Sequence, residues 1–256
     1  MRIKVEGIAE KLGSVCAAWK GVDAVSLGEL SEEDTLDPYF ALSFDVFHTG
    51  ELPAEDLRRL AFGDVGAFES SRIQAKDRFL IEGLPVRIEY KSSEEVASFS
   101  PSGRADLRQL LSSGTYPLYR LQNGRVLHDR SAWLASMRTK FAKLPDETWS
   151  GLREVLEARM EHCLTDLGAS ARMDDSFFYL ESSAGFAKQT ASLLFAINQK
   201  YEPSHRSIEQ RLRELQQVPD DFFGRWEIFL RSDIGMSREQ KYEVASLIAK
   251  SVLTIR

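Results

Sequence analysis

Two stretches of this chain carry one acid each on an otherwise apolar ribbon, Phe40-Ala-Leu-Ser-Phe-Asp-Val-Phe47 and Leu84-Pro-Val-Arg-Ile-Glu-Tyr-Lys91. Read with the period of two of an extended strand, Phe40, Leu42, Phe44 and Val46 share one face and leave Ser43 and Asp45 on the other. In the second stretch Val86, Ile88 and Tyr90 oppose Arg87, Glu89 and Lys91. Neighbouring strands of this kind place Asp45 and Glu89 over one cleft, close enough to hold a divalent cation between two carboxylates. The plainer alternative is two acids on the solvated face of an antiparallel sheet, where charged residues are common.

The elements that must position these acids follow from the rest of the pattern. Val5, Ile8, Ala9, Leu12, Val15, Cys16 and Trp19 recur at three and four, which predicts a helix over residues 3–19 that ends at Gly21. Residues 22–27 read as a short apolar strand stopped by Gly28, and residues 29–38 as an acidic loop in which Pro38 holds Asp37 extended. A helix is expected over 54–60, a Gly- and Ser-rich segment after it, and an N-capped helix start at Ser92. Tyr116 to His128 has the form of a small hairpin around Asn123-Gly124. From Asp129 onward the spacing is helical, with stripes through Leu152, Leu156, Met160 and Leu167 and through Phe186, Leu193, Leu194 and Ile197. Pro145, Pro203 and Pro219 stand near helix starts, where proline fits.

Composition bounds what such a chain does. At 256 residues and 43% hydrophobic content it can build a real core, and a net charge of −6 with a pI near 5.4 argues against a dedicated nucleic-acid binder. A local basic groove is compatible with these totals. Cys16 and Cys163 are expected as reduced, buried thiols. No apolar stretch is long enough to span a membrane and no signal-like segment opens the sequence, so a soluble, cytoplasmic protein is expected.

The order helix, strand, glycine-bearing turn, acidic strand, further helix, second acidic strand, then helices is similar to the nucleotidyltransferase superfamily that includes DNA polymerase β and the aminoglycoside nucleotidyltransferases. The resemblance implies an α+β fold, with a mixed-sheet domain over residues 1–103 and an all-helical domain over 104–256. It implies that Gly28 belongs to the turn that approaches the phosphates and that Asp45 and Glu89 are two of the acids that bind Mg²⁺. Two positions depart from the pattern: Ser43 stands where the first Asp of Asp-x-Asp belongs, and Glu29 where a phosphate-binding serine belongs. Asp37 is the candidate to replace the missing acid, which makes Asp37, Asp45 and Glu89 the candidate catalytic and metal-binding set. The segment from Leu193 to Arg206 looks like one found in nucleotidyltransferase-like bacterial proteins, which offers Lys200, His205 and Arg206 to phosphate. It also reads as a helix stop at Asn198 followed by a new N-cap at Ser204.

Lys76 and Arg78, just upstream of the Glu89 strand, form a basic pair able to offset phosphate charge; Asp77 and Arg78 equally read as ordinary surface charges. Together with Gly28 and Lys200, Lys76 and Arg78 make up the candidate nucleotide-binding set. The partners implied are a nucleoside triphosphate and a small hydroxylated or amino acceptor, with neither membrane nor nucleic acid. Ser43 and Glu29 motivate the other reading, a catalytically degenerate member of the fold kept as a nucleotide-binding or protein-interaction module. Other chemistries lack their signatures: there is no Gly-x-Ser-x-Gly elbow, no zinc spacing, no P-loop and no dinucleotide fingerprint. His128-Asp129 reads as a catalytic pair or, more simply, as a polar exit from the hairpin.

Overall fold

The computed structural model describes residues 2–28, 40–100, 104–173, 175–231 and 235–255. The chain forms two compact units, Met1–Ser100 with Pro117–Lys143, and Pro101–Tyr116 with Leu144–Arg256. The first carries a mixed sheet and the second is helical among the described residues, which is the α+β class expected from the sequence. The chain passes between the units three times, because residues 117–143 return to the sheet.

In the first unit, helix α1 (Arg2–Ala17) packs across a sheet of β1 (Val22–Leu27), β2 (Leu42–His48), β3 (Gly66–Ser71), β4 (Lys76–Ile81), β5 (Leu84–Ser92) and β6 (Arg125–Asp129), in the order β3-β4-β5-β2-β1-β6. The β2–β5 pair is parallel and every other pair antiparallel. A parallel neighbour requires a crossover, and here α2 (Glu55–Phe62) and the β3–β4 hairpin supply it. The anticipated α1 stripe is the one that is buried: Val5, Ile8, Leu12 and Cys16 meet Val25, Phe44, Val46, Ile88 and Tyr90, and only Val15 stays partly open. Gly13 lets α1 approach β6 closely, since a Cβ there would come within 2.7 Å of Leu127 Cδ1.

The opposite face of the sheet receives residues from α5 (Tyr116–Asn123) and α6 (Trp133–Lys140). Trp133 lies against Phe47 with ring centroids 5.1 Å apart. The hairpin expected over 116–128 is therefore corrected to a helix followed by an edge strand. Pro117 fits a first helical turn, Leu118, Arg120 and Leu121 are buried at helical spacing, and Asn123-Gly124 ends the helix instead of turning a hairpin. The segment after residue 62, expected as an irregular Gly- and Ser-rich stretch, contains strand β3.

In the second unit α7 (Asp146–Arg172) and α8 (Ser176–Ile197) pack along each other, with α4 (Arg104–Ser113) and α11 (Arg238–Leu253) on α7 and α10 (Phe222–Leu230) on α11. Small residues set two of these crossings: a Cβ on Gly168 would meet Tyr242 at 2.8 Å, and one on Gly151 would meet Leu107 at 3.0 Å. Both cysteines are free, but Cys163 is half-buried rather than buried. No described helix is long and apolar enough to cross a membrane.

Candidate functional site

Strand register brings the two acids together. Asp45 on β2 lies directly opposite Glu89 on the parallel β5, Glu89 lies opposite Lys76 on β4, and Asp45 lies opposite Ser26 on β1. A polar row, Lys76, Glu89, Asp45 and Ser26, thus crosses the face of the sheet away from α1. One step along the strands runs a parallel row of Glu69, Arg78, Arg87 and Ser43.

The acids of the first row face cations from the same unit. Lys91 Nζ stands 2.7 Å from Asp45 Oδ1 and 3.8 Å from Glu89 Oε2. Arg120 reaches both carboxylates, Nη2 at 2.8 Å from Asp45 Oδ1 and Nη1 at 3.1 Å from Glu89 Oε1. Lys76 adds a third contact at 3.7 Å to Glu89 Oε1. Asp45 is 1% exposed and Arg120 7%, so this pair is shielded from water and feels little screening. Asp45 Oδ1 has no aligned hydrogen bond, so charge and not direction holds the cations on it. Burial pushes the Glu89 carboxyl up, but Arg120, Lys91 and Lys76 together bring it below the usual carboxylate range.

Arg120 is itself held in place. The carbonyls at the end of α5 accept from Arg138 of α6: Nε donates to Leu121 O at 2.8 Å and Nη2 to Gly124 O. Asp129 caps α6 by accepting the amides of Leu134 and Ala135 at 2.8 and 3.1 Å. Asp129 accordingly has a structural role, and His128 beside it is half-buried.

The remaining candidates fall in different places. Gly28 ends β1 and gives its N–H to Ser43 O at 2.7 Å, so that amide is already engaged within the sheet. Arg78 is exposed on the same face as Glu89. Asp37 and Glu29 lie outside the described residues. Lys200 belongs to the helical unit, exposed just past the end of α8. In that segment Asn198 clamps the helix end to a later loop, donating to Gln217 O at 2.9 Å and accepting from Gln217 N at 2.7 Å. Ser204 does not cap the next helix, α9 (Ile208–Leu212), whose N-cap residue is Ser207.

Two functional-looking residues escaped sequence reasoning. Arg120 was hidden by the hairpin reading; once residues 116–123 are a helix, an arginine between Leu118 and Leu121 is a buried cation in need of an acid. Asp77 read as a surface charge between Lys76 and Arg78, yet it is fully buried. Arg58 of α2 binds it with both ends of its guanidinium, Nε at 2.8 Å and Nη2 at 2.9 Å, and Tyr90 Oη donates to it at 2.6 Å. This network ties α2 to the core face of β4 and β5, where alternation puts Asp77 with Phe79 and Ile81.

The described residues do not fit Mg²⁺. The ion asks for near-octahedral oxygen ligands at about 2 Å, whereas the space beside Asp45 and Glu89 holds two nitrogen cations, and no group of three His, Cys, Asp or Glu side chains able to hold a metal occurs among the described residues.

Residues 111–206 match the model of a family described as a domain of unknown function, DUF4037. Among solved structures, the chain is similar to a nucleotidyltransferase-like protein from Exiguobacterium sibiricum 255-15, at 12% identity and a TM-score of 0.48, over 97% of this chain and 74% of that one. No curated protein matches.

Proposed function

We propose that this chain is a nucleotidyltransferase-like protein that has given up metal-dependent transfer and binds a phosphate-bearing small molecule, a nucleotide or similar compound, without a metal. The observation that supports the reading is the occupation of the Asp45 and Glu89 carboxylates by Arg120 and Lys91. In a metal-dependent transferase the acids must present oxygens to ions that neutralise the triphosphate. Here the neutralising charges are side chains, fixed by strand register and by the Arg138-held end of α5. On this face Lys76, Arg78, Arg87 and Lys91 of the strands and Arg120 of α5 stand against Glu69, Asp45, Glu89 and Asp129, five cations to four acids in a chain whose net charge is −6. Such a face attracts anions without help.

The test is a melting-temperature panel with ATP, GTP, CTP and UTP, each in Mg²⁺ and in EDTA, alongside an assay for pyrophosphate release. A ligand that binds only the native state raises its melting temperature. The expected result is a rise of equal size in Mg²⁺ and EDTA, with no pyrophosphate. A rise that needs Mg²⁺ and disappears in Asp45→Asn, or pyrophosphate released from any nucleotide, would restore the transferase reading, with Asp37, Asp45 and Glu89 on Mg²⁺ and a small hydroxylated or amino acceptor.

A further inference from the structure

We infer that the phosphate of this ligand sits on Arg78 and Arg87, beside the cleft of the β3–β4 hairpin, and not on the acid pair. The inference rests on the reading of the domain as a metal-free phosphate-binding module and places the site within it. Arg78 of β4 and Arg87 of β5 stand directly opposite each other on antiparallel strands, and both are exposed. Like charges in that position repel and weaken a sheet, and among the described residues neither guanidinium has an ion-pair partner. A phosphate between them turns the repulsion into two charge-assisted contacts, the geometry in which arginine is favoured.

The surroundings define the rest of the ligand. Arg78 borders a cleft of about 330 Å³ that is also lined by Lys76, Gln74, Ser70, Ser71 and Glu69. That size lies at the low end of small-molecule sites and suits a mononucleotide or a sugar phosphate rather than a nucleic-acid strand. Glu69, opposite Arg78 on β3, repels a second phosphate and accepts hydrogen bonds from hydroxyl or amino groups. Ser70 Oγ already accepts from Arg58 Nη2 at 2.9 Å, which fixes that wall of the cleft to α2. The ligand class is therefore a small phosphomonoester that carries free hydroxyl or amino groups. The acid pair one row away is neutralised internally and takes no part in contact with it.

The experiment is calorimetric titration of the full chain, in EDTA and low salt, with AMP, ribose 5-phosphate and inorganic phosphate, using wild type, Arg78→Ala/Arg87→Ala, Glu69→Ala, and Lys20→Ala as a control for general charge. The expected result is at least tenfold weaker binding of the phosphomonoesters by the double variant, with Lys20→Ala unchanged. Glu69→Ala is expected to weaken AMP and ribose 5-phosphate more than inorganic phosphate. The ligand-free double variant should melt no lower than wild type, since it loses a repulsion; this separates lost binding from lost folding. Equal binding by wild type and the double variant overturns the site while leaving the metal-free reading intact. Absence of phosphomonoester binding by wild type in EDTA overturns the inference, and binding that returns only with Mg²⁺ and is lost in Asp45→Asn overturns the metal-free reading beneath it.

Discussion

Replacing Arg120 with Met tests the central contact of the proposed module. The variant keeps the aliphatic stem as far as the Nε position and removes the guanidinium charge from between two carboxylates. Asp45 would then keep Lys91 at 2.7 Å as its cation, in a position where its side chain is 2% exposed. Removing one partner from a buried ion pair costs about 3–5 kcal/mol; because Lys91 remains, roughly half of that, about 2 kcal/mol, is expected. Hydrogen exchange at the β2 and β5 amides under increasing urea reads this locally, without assuming that the two units unfold together. The double variant Asp45→Asn/Arg120→Met should lose less than the sum of the single losses, because it leaves no orphaned carboxylate.

Acid titration adds a second arm. Glu89 is lowered in the folded protein, so its contribution to stability is present above its ordinary value of 4.5 and is lost as pH falls through the lowered folded value. Arg120 is the first of the charges that hold it down, so in Arg120→Met the Glu89 carboxyl moves back up and there is less to lose in acid. The gap between wild type and variant should therefore narrow as the pH drops below 4.5. A neutral Arg120→Met, an additive double variant, or a gap that widens in acid would each refute the claim that Arg120 is the resident counter-charge.

Three further outcomes follow from the same structure. Tyr90→Phe removes a 2.6 Å hydrogen bond to the buried Asp77 carboxylate and should cost about 1.5–3 kcal/mol by urea titration; a loss below about 0.5 kcal/mol would mean that Arg58 alone satisfies Asp77. Glu202, which accepts from Ser192 Oγ at 3.0 Å, is raised by burial, so it favours the fold below its unfolded value and loses that contribution as pH rises through its folded value. Glu202→Gln should consequently melt higher than wild type at pH 7, with the advantage gone near pH 4, and an unchanged or lower melting temperature at pH 7 would contradict it. Burial pushes both thiols up, but Cys16 is fully enclosed and Cys163 half-buried, so in the native chain Cys163 should alkylate faster than Cys16 at pH 8 and both should react faster in urea; rapid native labelling of Cys16 would show that α1 opens.

The fold was most legible where one period ran uninterrupted. The spacing from Val5 to Trp19, the alternation from Leu42 to Val46 and the long stripes after residue 146 each lie in an element of the expected type, although β2 is buried on both faces, Asp45 and Phe47 included, and α8 is buried all round from Thr190 to Ile197. The α5 segment failed because its local signal pointed elsewhere. Asn123-Gly124 is a strong turn signal at short range, but Leu118, Arg120 and Leu121 are buried at helical spacing, and Arg120 meets Asp45 and Glu89 on strands far earlier in the chain, which no local signal reports. Strand β3 was obscure for the same reason: Gly66-Ala-Phe-Glu-Ser-Ser71 has little β-propensity of its own, and β4 provides the edge that makes it a strand.

The site divides along the same line. That Asp45 and Glu89 share a face is a matter of strand period, visible within each strand, whereas what neutralises them depends on which residues are brought alongside. Lys91 is two residues from Glu89 and so on the same face by period alone, but Arg120 arrives from a helix that the turn signal concealed. Acids displayed in register constitute a metal site only if nothing else reaches them first. On this sheet two side-chain cations do, at 2.7 and 2.8 Å, and the same period that aligned the acids also set Arg78 against Arg87 one row away. Strand period alone therefore places Asp45, Glu89, Lys91, Arg78 and Arg87 on this face, whereas their pairing across strands, and the arrival of Arg120 between the acids, come from tertiary structure.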